Sequence, residues 1–145
     1  MENYLNIKNK VIVISGAAGF LANKLIVEFL RNGAEVYGID NDYKQLSSQY
    51  KKIKKIYPTN KFHVIKCDIT KENEVKKNIK NIIKLSKNID VLINNAATKT
   101  KNLKNFFNPF EKYRLKDWND VMNVNINGAF LISKAVSKCM IKRKF

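Results

Sequence analysis

Short apolar runs and longer amphipathic stretches alternate along this chain. Residues 10–15 hold the unbroken run Val11-Ile-Val-Ile14, which predicts a strand buried on both faces of a parallel sheet. From about 18 to 32 apolar residues recur at helical spacing, with Leu21, Leu25, Ile26, Phe29 and Leu30 on one side. Gly33 then supplies a left-handed cap. Residues 35–39 predict a second strand that stops at Asp40, and a Lys-rich helix over about 42–57 follows, closed by Pro58. Residues 62–66 predict a third strand, leading into Cys67-Asp68-Ile69-Thr70. The next helix, about 71–87, carries Val75, Ile79, Ile82 and Ile83 at helical spacing. Residues 90–97 are the fourth strand and its exit. A polar and aromatic loop runs from 98 to about 116 and holds Phe106, Phe107, Pro109, Phe110 and Tyr113. Asp117 is placed to cap a final helix starting at Trp118, whose apolar side is Trp118, Val121, Met122, Ala129, Phe130 and Val136.

Strands alternating with helices of this length predict βαβ crossovers, hence an α/β fold with a Rossmann-like doubly wound parallel sheet. Residues 1–145 read as one domain without linkers or repeats. The chain ends on the basic run 139–145 with no return strand, so the sheet is expected to stop after about four strands and four helices. One side of the fourth strand should then be open, and Phe130, Val136 and Met140 exposed.

Composition changes this picture little. An apolar content of 45% in 145 residues suits one globular core. No apolar run is long enough to span a membrane, and the N-terminus lacks the layout of a signal peptide. Cys67 and Cys139 lie far apart and make no ligand spacing, so reduced thiols in a cytoplasmic protein and no metal site are expected. The net charge of +16 invites a nucleic-acid reading. Against it, 25 of the 28 basic residues are Lys and only 3 are Arg, and they are spread along helices without interleaved aromatics. A compositional bias filling solvated faces is the favoured reading, so no specific nucleic-acid partner and no membrane partner are expected.

The candidate chemistry gathers at strand ends. Gly16 and Gly19 form a small-residue turn between the first strand and the first helix, where backbone can approach a ligand. The helix start offers free N–H groups that suit a pyrophosphate; an ordinary strand–turn–helix is the alternative. Asp40, eighteen residues after Ala22, can accept hydrogen bonds from a ribose 2′-hydroxyl, or is a solvated turn residue. Asp68 can bond an adenine amino group or serve as a turn acid. Asn94 and Asn95, at the exit of a buried strand, can satisfy free backbone groups and brace the neighbouring turn. Asn125 falls on the inward side of the last helix, so its amide should be tied to a partner, in the core or in a site.

Together Ser15-Gly16-x-x-Gly19-Phe20-Leu21-Ala22, Asp40, Asp68, Asn94-Asn95-Ala96-Ala97 and Asn123-Val-Asn125-x-x-Gly128 resemble the short-chain dehydrogenase/reductase family over essentially the whole chain. Within that family the Gly-Phe-Leu turn and aromatic loop look like bacterial oxidoreductases of surface-sugar or flagellin modification. The resemblance implies an NAD cofactor. Ser15, Gly16, Gly19, Phe20 and Leu21 would line its pyrophosphate, Asp40 its ribose, Asp68 and Ile69 its adenine, and Asn94 and Ala96 its nicotinamide side. Asn125 matches the family's catalytic Asn, which holds a water in the proton relay. The resemblance further implies a small-molecule substrate, in one version a sugar or sugar nucleotide, and a homo-oligomer at full length.

The family's Ser and Tyr-x-x-x-Lys follow this helix and find no match at the expected place. Tyr4/Lys8, Tyr50/Lys54 and Tyr57/Lys61 fit the spacing but precede the fourth strand in Lys-rich stretches, and are rejected. Ser15 for Thr keeps a hydroxyl, whereas Ala22 and Ala97 for Gly each add a methyl at a close-packed place. The expectation is the N-terminal, cofactor-binding part of an NAD-dependent oxidoreductase, inactive alone. The alternatives are a non-catalytic dinucleotide-binding module and a basic nucleic-acid-binding protein.

Overall fold

The computed structural model describes residues 6–58, 61–100 and 102–142. Tyr4, Lys101 of the aromatic loop and the last three residues of the basic ending lie outside them. Four strands form one parallel sheet: β1 (Val11–Ser15), β2 (Glu35–Asp40), β3 (Phe62–Lys66) and β4 (Val91–Ile93). Their order is β3-β2-β1-β4, with Val13 opposite both Tyr37 and Leu92. The chain winds outward from β1 to β3, then crosses back to lay β4 on the far side of β1, the doubly wound topology.

Both faces of β1 are covered, which is why its sequence is apolar without alternation. Ile12 and Ile14 pack with Ala22 and Ile26 of α1 (Phe20–Arg31) and with Leu46 and Ile53 of α2 (Tyr43–Ile56). Val11 and Val13 face Val75, Ile79 and Ile82 of α3 (Glu72–Ser86) and Ile132 and Val136 of the last helix. α1 ends at Gly33 (φ +79), whose N–H donates to the Leu30 carbonyl at 3.0 Å while that of Ala34 reaches Phe29 at 3.0 Å. That pair of bonds is a Schellman closure, and only glycine takes its left-handed position cheaply.

The aromatic loop carries local order that its composition hides: a single-turn helix, α4 (Leu103–Phe106), and a 3-10 turn, Phe110–Lys112. The last helix begins earlier than expected, as α5 (Leu115–Met122), passes through a π-helical segment, Asn123–Gly128, and continues as α6 (Ala129–Lys142). Asp117 therefore does not cap it. It lies in the first turn with its side chain buried, accepting from Arg114 Nε at 2.6 Å, Arg114 Nη2 at 2.9 Å and Asn105 Nδ2 at 3.2 Å. These bonds tie α4 to α5, a long-range job that cap statistics do not foresee.

Expectations about apolar faces need correction at Leu21, Trp118, Val136 and Met140. Leu21 is exposed, because Ala22 and Ile26, four apart, take the buried line of α1 and Leu21 sits one residue off it. Trp118 is exposed too, at 48%, whereas Phe130, at 60%, is exposed as expected. The π segment widens one turn, so a single 3.6-residue period drawn across it loses phase. The buried line of α6 is Ile132 and Val136, continued by Met140 against the core; of the three residues expected to be bare, only Phe130 is. β4 pairs with β1 alone among the described residues, and its other edge is open.

The Arg114 guanidinium holds the Asp117 carboxyl below the usual carboxylate range. A carboxyl with a depressed folded-state value adds stability above its unfolded value, near pH 4, and loses it as pH falls through the folded value. Asp117→Asn is expected to lower the urea midpoint at pH 7 and to differ less from the parent at pH 2.5. A gap of constant size would show that the ion pair contributes nothing.

Candidate functional site

The carboxyl ends of the four strands enclose a cleft of about 150 Å³ at the point where the strand order reverses. Its walls are Gly16 from the first turn, Ile39 to Asn41 from β2, Cys67 to Ile69 after β3, Ala96 to Thr98 after β4, and Val124 from the π segment. The sequence candidates Gly16, Asp40, Asp68, Ile69 and Ala96 thus meet in one place.

Gly16 has φ +65, and a Cβ built on it would lie 2.6 Å from Ala96 Cα. No larger residue fits, because the turn after β1 and the exit of β4 run in contact here. Gly19 has an ordinary φ of −73 and precedes α1 without any side-chain cap. The first N–H groups of that helix, including those of Phe20 and Leu21, have no intrahelical acceptor and point past an uncapped end. Ser15 lies beneath, 1% exposed. Its hydroxyl accepts from the N–H of Asn95 and of Ala96, each at 3.2 Å, and donates to the Ile93 carbonyl at 3.4 Å. Asn95 Nδ2 returns two bonds, to the carbonyls of Ser15 and Gly16, each at 3.1 Å. The adjacent Asn95 is thus the brace, whereas Asn94 turns the other way and donates to Ser133 Oγ at 3.0 Å.

Asp40 joins the second strand to the glycine turn. Its Oδ2 accepts from the Ala18 N–H at 2.9 Å and its Oδ1 from the Asp42 N–H at 2.8 Å, so the carboxylate is fixed in the cleft wall with further lone pairs free. Asp68 accepts from both the N–H and the hydroxyl of Thr70, at 2.9 and 2.7 Å, which is the turn-acid geometry, while still lining the cleft. Cys67 beside it is buried, and that burial pushes its thiol up. Asn125 Oδ1 accepts from the Thr98 N–H at 2.7 Å and its Nδ2 donates to the Thr98 carbonyl at 3.2 Å. This amide docks the π segment onto the exit of β4, and π segments recur at functional sites.

Two contributors escaped the sequence reading. Gln45 and Gln49, one turn apart on α2, both donate to the Ala18 carbonyl, at 2.8 and 2.6 Å, and hold the glycine turn from outside. Their signal is two amides at helical spacing in a Lys-rich helix, too common to stand out. Tyr50 and Lys54 touch each other on α2 away from the cleft.

The family model described as short chain dehydrogenase matches residues 10–145. The chain belongs to the short-chain dehydrogenase family. It is 38% identical over 136 residues to the 3-oxoacyl-[acyl-carrier-protein] reductase FabG of Buchnera aphidicola subsp. Baizongia pistaciae, a match covering 93% of this chain and 51% of that protein. It is 29% identical over 150 residues to sorbitol-6-phosphate 2-dehydrogenase of Klebsiella pneumoniae, covering 99% of this chain and 52% of the relative. The solved structure of NAD+-bound xylitol dehydrogenase superposes with a TM-score of 0.85 at 24% identity, over 97% of this chain and 52% of that one. The chain spans about half the length of these relatives. Its fold is therefore that of a short-chain dehydrogenase, in an oxidoreductase family. No helix among the described residues is long and apolar enough to cross a membrane.

Proposed function

We propose that this chain is the dinucleotide-binding domain of an oxidoreductase that uses NAD(H) in preference to NADP(H). The observation that carries the reading is the Asp40 carboxylate, held by the Ala18 and Asp42 N–H groups in the cleft wall beside the glycine turn. Gly16 supports it, because a Cβ there would meet Ala96 Cα at 2.6 Å, so the turn runs against the exit of β4 at the cleft wall only as glycine. The bare N–H groups at the start of α1 would hold the pyrophosphate, Asp40 the adenosine ribose, and Asp68 and Ile69 the adenine. Nicotinamide, when bound, supplies the hydride donor or acceptor. Ala96 and the Asn94 backbone would flank it, and Asn125 would present its amide at the same edge, where a proton must be delivered to or taken from the substrate carbonyl or alcohol. The substrate is a small molecule, for which we favour a sugar or sugar derivative. Exposed Phe107 and Phe110 in the segment leaving β4 support placing that segment on the substrate side. A homo-oligomer and a cytoplasmic location complete the proposal.

Adenosine diphosphate ribose and its 2′-phosphate engage the half of the cleft described here, so they test the preference directly. The unphosphorylated compound is expected to bind more tightly by about tenfold or more, since a carboxylate facing a phosphate costs several kcal/mol. Asp40→Ala should weaken it and narrow the gap. Tighter binding of the 2′-phosphate would sink the preference, and binding of neither would sink the proposal.

A further inference from the structure

α3 and α6 lie side by side on the sheet face opposite α1 and α2, with Val75, Ile79 and Ile82 meeting Ile132 and Val136 beneath. Above that contact they leave a groove of about 240 Å³ floored by Ile79, Ile83, Leu131 and Ala135. Its lips are lysines: Lys76 and Lys80 on α3, Lys134 and Lys138 on α6. A second hollow of about 570 Å³ shares Ile83 and Lys138 and continues to Lys87, Ile141 and Lys142. Among the described residues the one acid lining the groove is Glu72 at its end, already held by Lys76 at 2.9 Å and Lys134 at 3.8 Å. Among the described residues no ion pair engages Lys80 or Lys138.

Lysines filling a solvated face would alternate with other polar residues. Here an apolar floor lies open between them, with Ile83, Leu131 and Ala135 half-buried and Ile141 76% exposed. On each lip the charges stand four residues apart, which is about 6 Å along a helix, the spacing of Glu or Asp at i and i+4 on a facing helix. From Lys76 to Lys87 the groove runs for about 16 Å, room for three turns. We propose that the α3–α6 groove docks an acidic amphipathic helix of a partner protein, apolar stripe on the floor and carboxylates against both lysine rows. A bilayer would need an apolar ridge, whereas this surface is a trough. Nucleic acid would leave the apolar floor uncovered and finds no Arg among the described residues of the lips. A second copy related by a two-fold axis would set lysine against lysine.

The probe is a synthetic four-turn peptide with Leu along one stripe and Glu on both flanks, titrated into the isotope-labelled chain. It is expected to shift the amides of Ile83, Leu131 and Ala135 and to weaken with salt. A scrambled peptide of the same composition should bind about tenfold more weakly, as should the parent peptide to Lys80→Glu/Lys138→Glu, because apolar register and opposed charge act together. A peptide with Lys in place of Glu should recover affinity for that variant. Both positions are exposed, so the variant should unfold at the parent's midpoint. Equal binding of the scrambled peptide, shifts spread over all lysines, or no binding would overturn the proposal. So would binding to phosphatidylserine-containing vesicles that the variant loses while the peptide does not bind, or self-association abolished by Ala135→Glu.

Discussion

Gly16→Ala is expected to be the most damaging single methyl that can be added to this chain. A residue with a Cβ pays about 1–2 kcal/mol to hold the left-handed φ of +65 that Gly16 adopts. The new methyl would also start 2.6 Å from Ala96 Cα and 2.9 Å from Ala96 N, both backbone atoms that no rotamer change can move. Relieving that contact means prising the turn after β1 from the exit of β4, a further 1–3 kcal/mol by the usual cost of overpacking. A loss of roughly 2–5 kcal/mol would take a large part of the stability of a domain this size. Binding of adenosine diphosphate ribose should vanish in the fraction that stays folded, because the cleft wall moves. Gly19→Ala is the control: its φ is −73 and its new methyl would lie 3.1 Å from the Gly16 carbonyl oxygen, so a loss below about 1 kcal/mol is expected. Urea unfolding of the two variants decides the matter, and equal midpoints would mean that the turn is not under the constraint described.

The elements that lie between two helical layers are legible in the sequence, because burial on both faces forces their composition. β1 and β3 fall where the apolar runs place them, and the left-handed Gly33 ends α1 as a local rule requires. Asp40 and Asp68 are legible as strand-end acids for the same reason: the strand end is visible, so the cleft side is known. What escapes is whatever depends on contacts distant in sequence or on a change of helical period. β4 pairs only over Val91–Ile93 because a strand is defined by its partner, and the Asn95 and Ala96 N–H groups turn instead to Ser15. The π segment breaks the phase of the last helix, which put Trp118 on the wrong side and left Val136 buried against expectation. Asp117 has the look of a cap, yet its partners, Arg114 and Asn105, are set by the fold of the loop. The glutamines that grip Ala18 come from another helix altogether.

Ser15→Ala is expected to open the same seam from below. The hydroxyl both accepts and donates between β1 and the exit of β4, serving Asn95 N–H, Ala96 N–H and the Ile93 carbonyl. Removing it strips the Ala96 N–H of its bond in a place that is almost wholly shielded from water, which costs about 1–3 kcal/mol, whereas the Asn95 N–H and the Ile93 carbonyl keep their own bond to each other at 3.1 Å. A loss of about 1–3 kcal/mol is therefore expected. Ser15→Thr keeps the oxygen and should stay within about 1 kcal/mol of the parent, provided the added methyl is accommodated beside the apolar neighbours of β1. Asn95→Leu removes the return bonds to the Ser15 and Gly16 carbonyls, and the double variant with Ser15→Ala should cost less than the two singles added, because both act on one seam. Hydrogen exchange gives the local readout: the Asn95 and Ala96 amides should exchange faster in Ser15→Ala at a denaturant concentration where the Val13 amide, in the centre of β1, is still protected. If those two amides exchange as slowly as in the parent, the hydroxyl is a passenger and the Gly16–Ala96 contact alone closes the cleft.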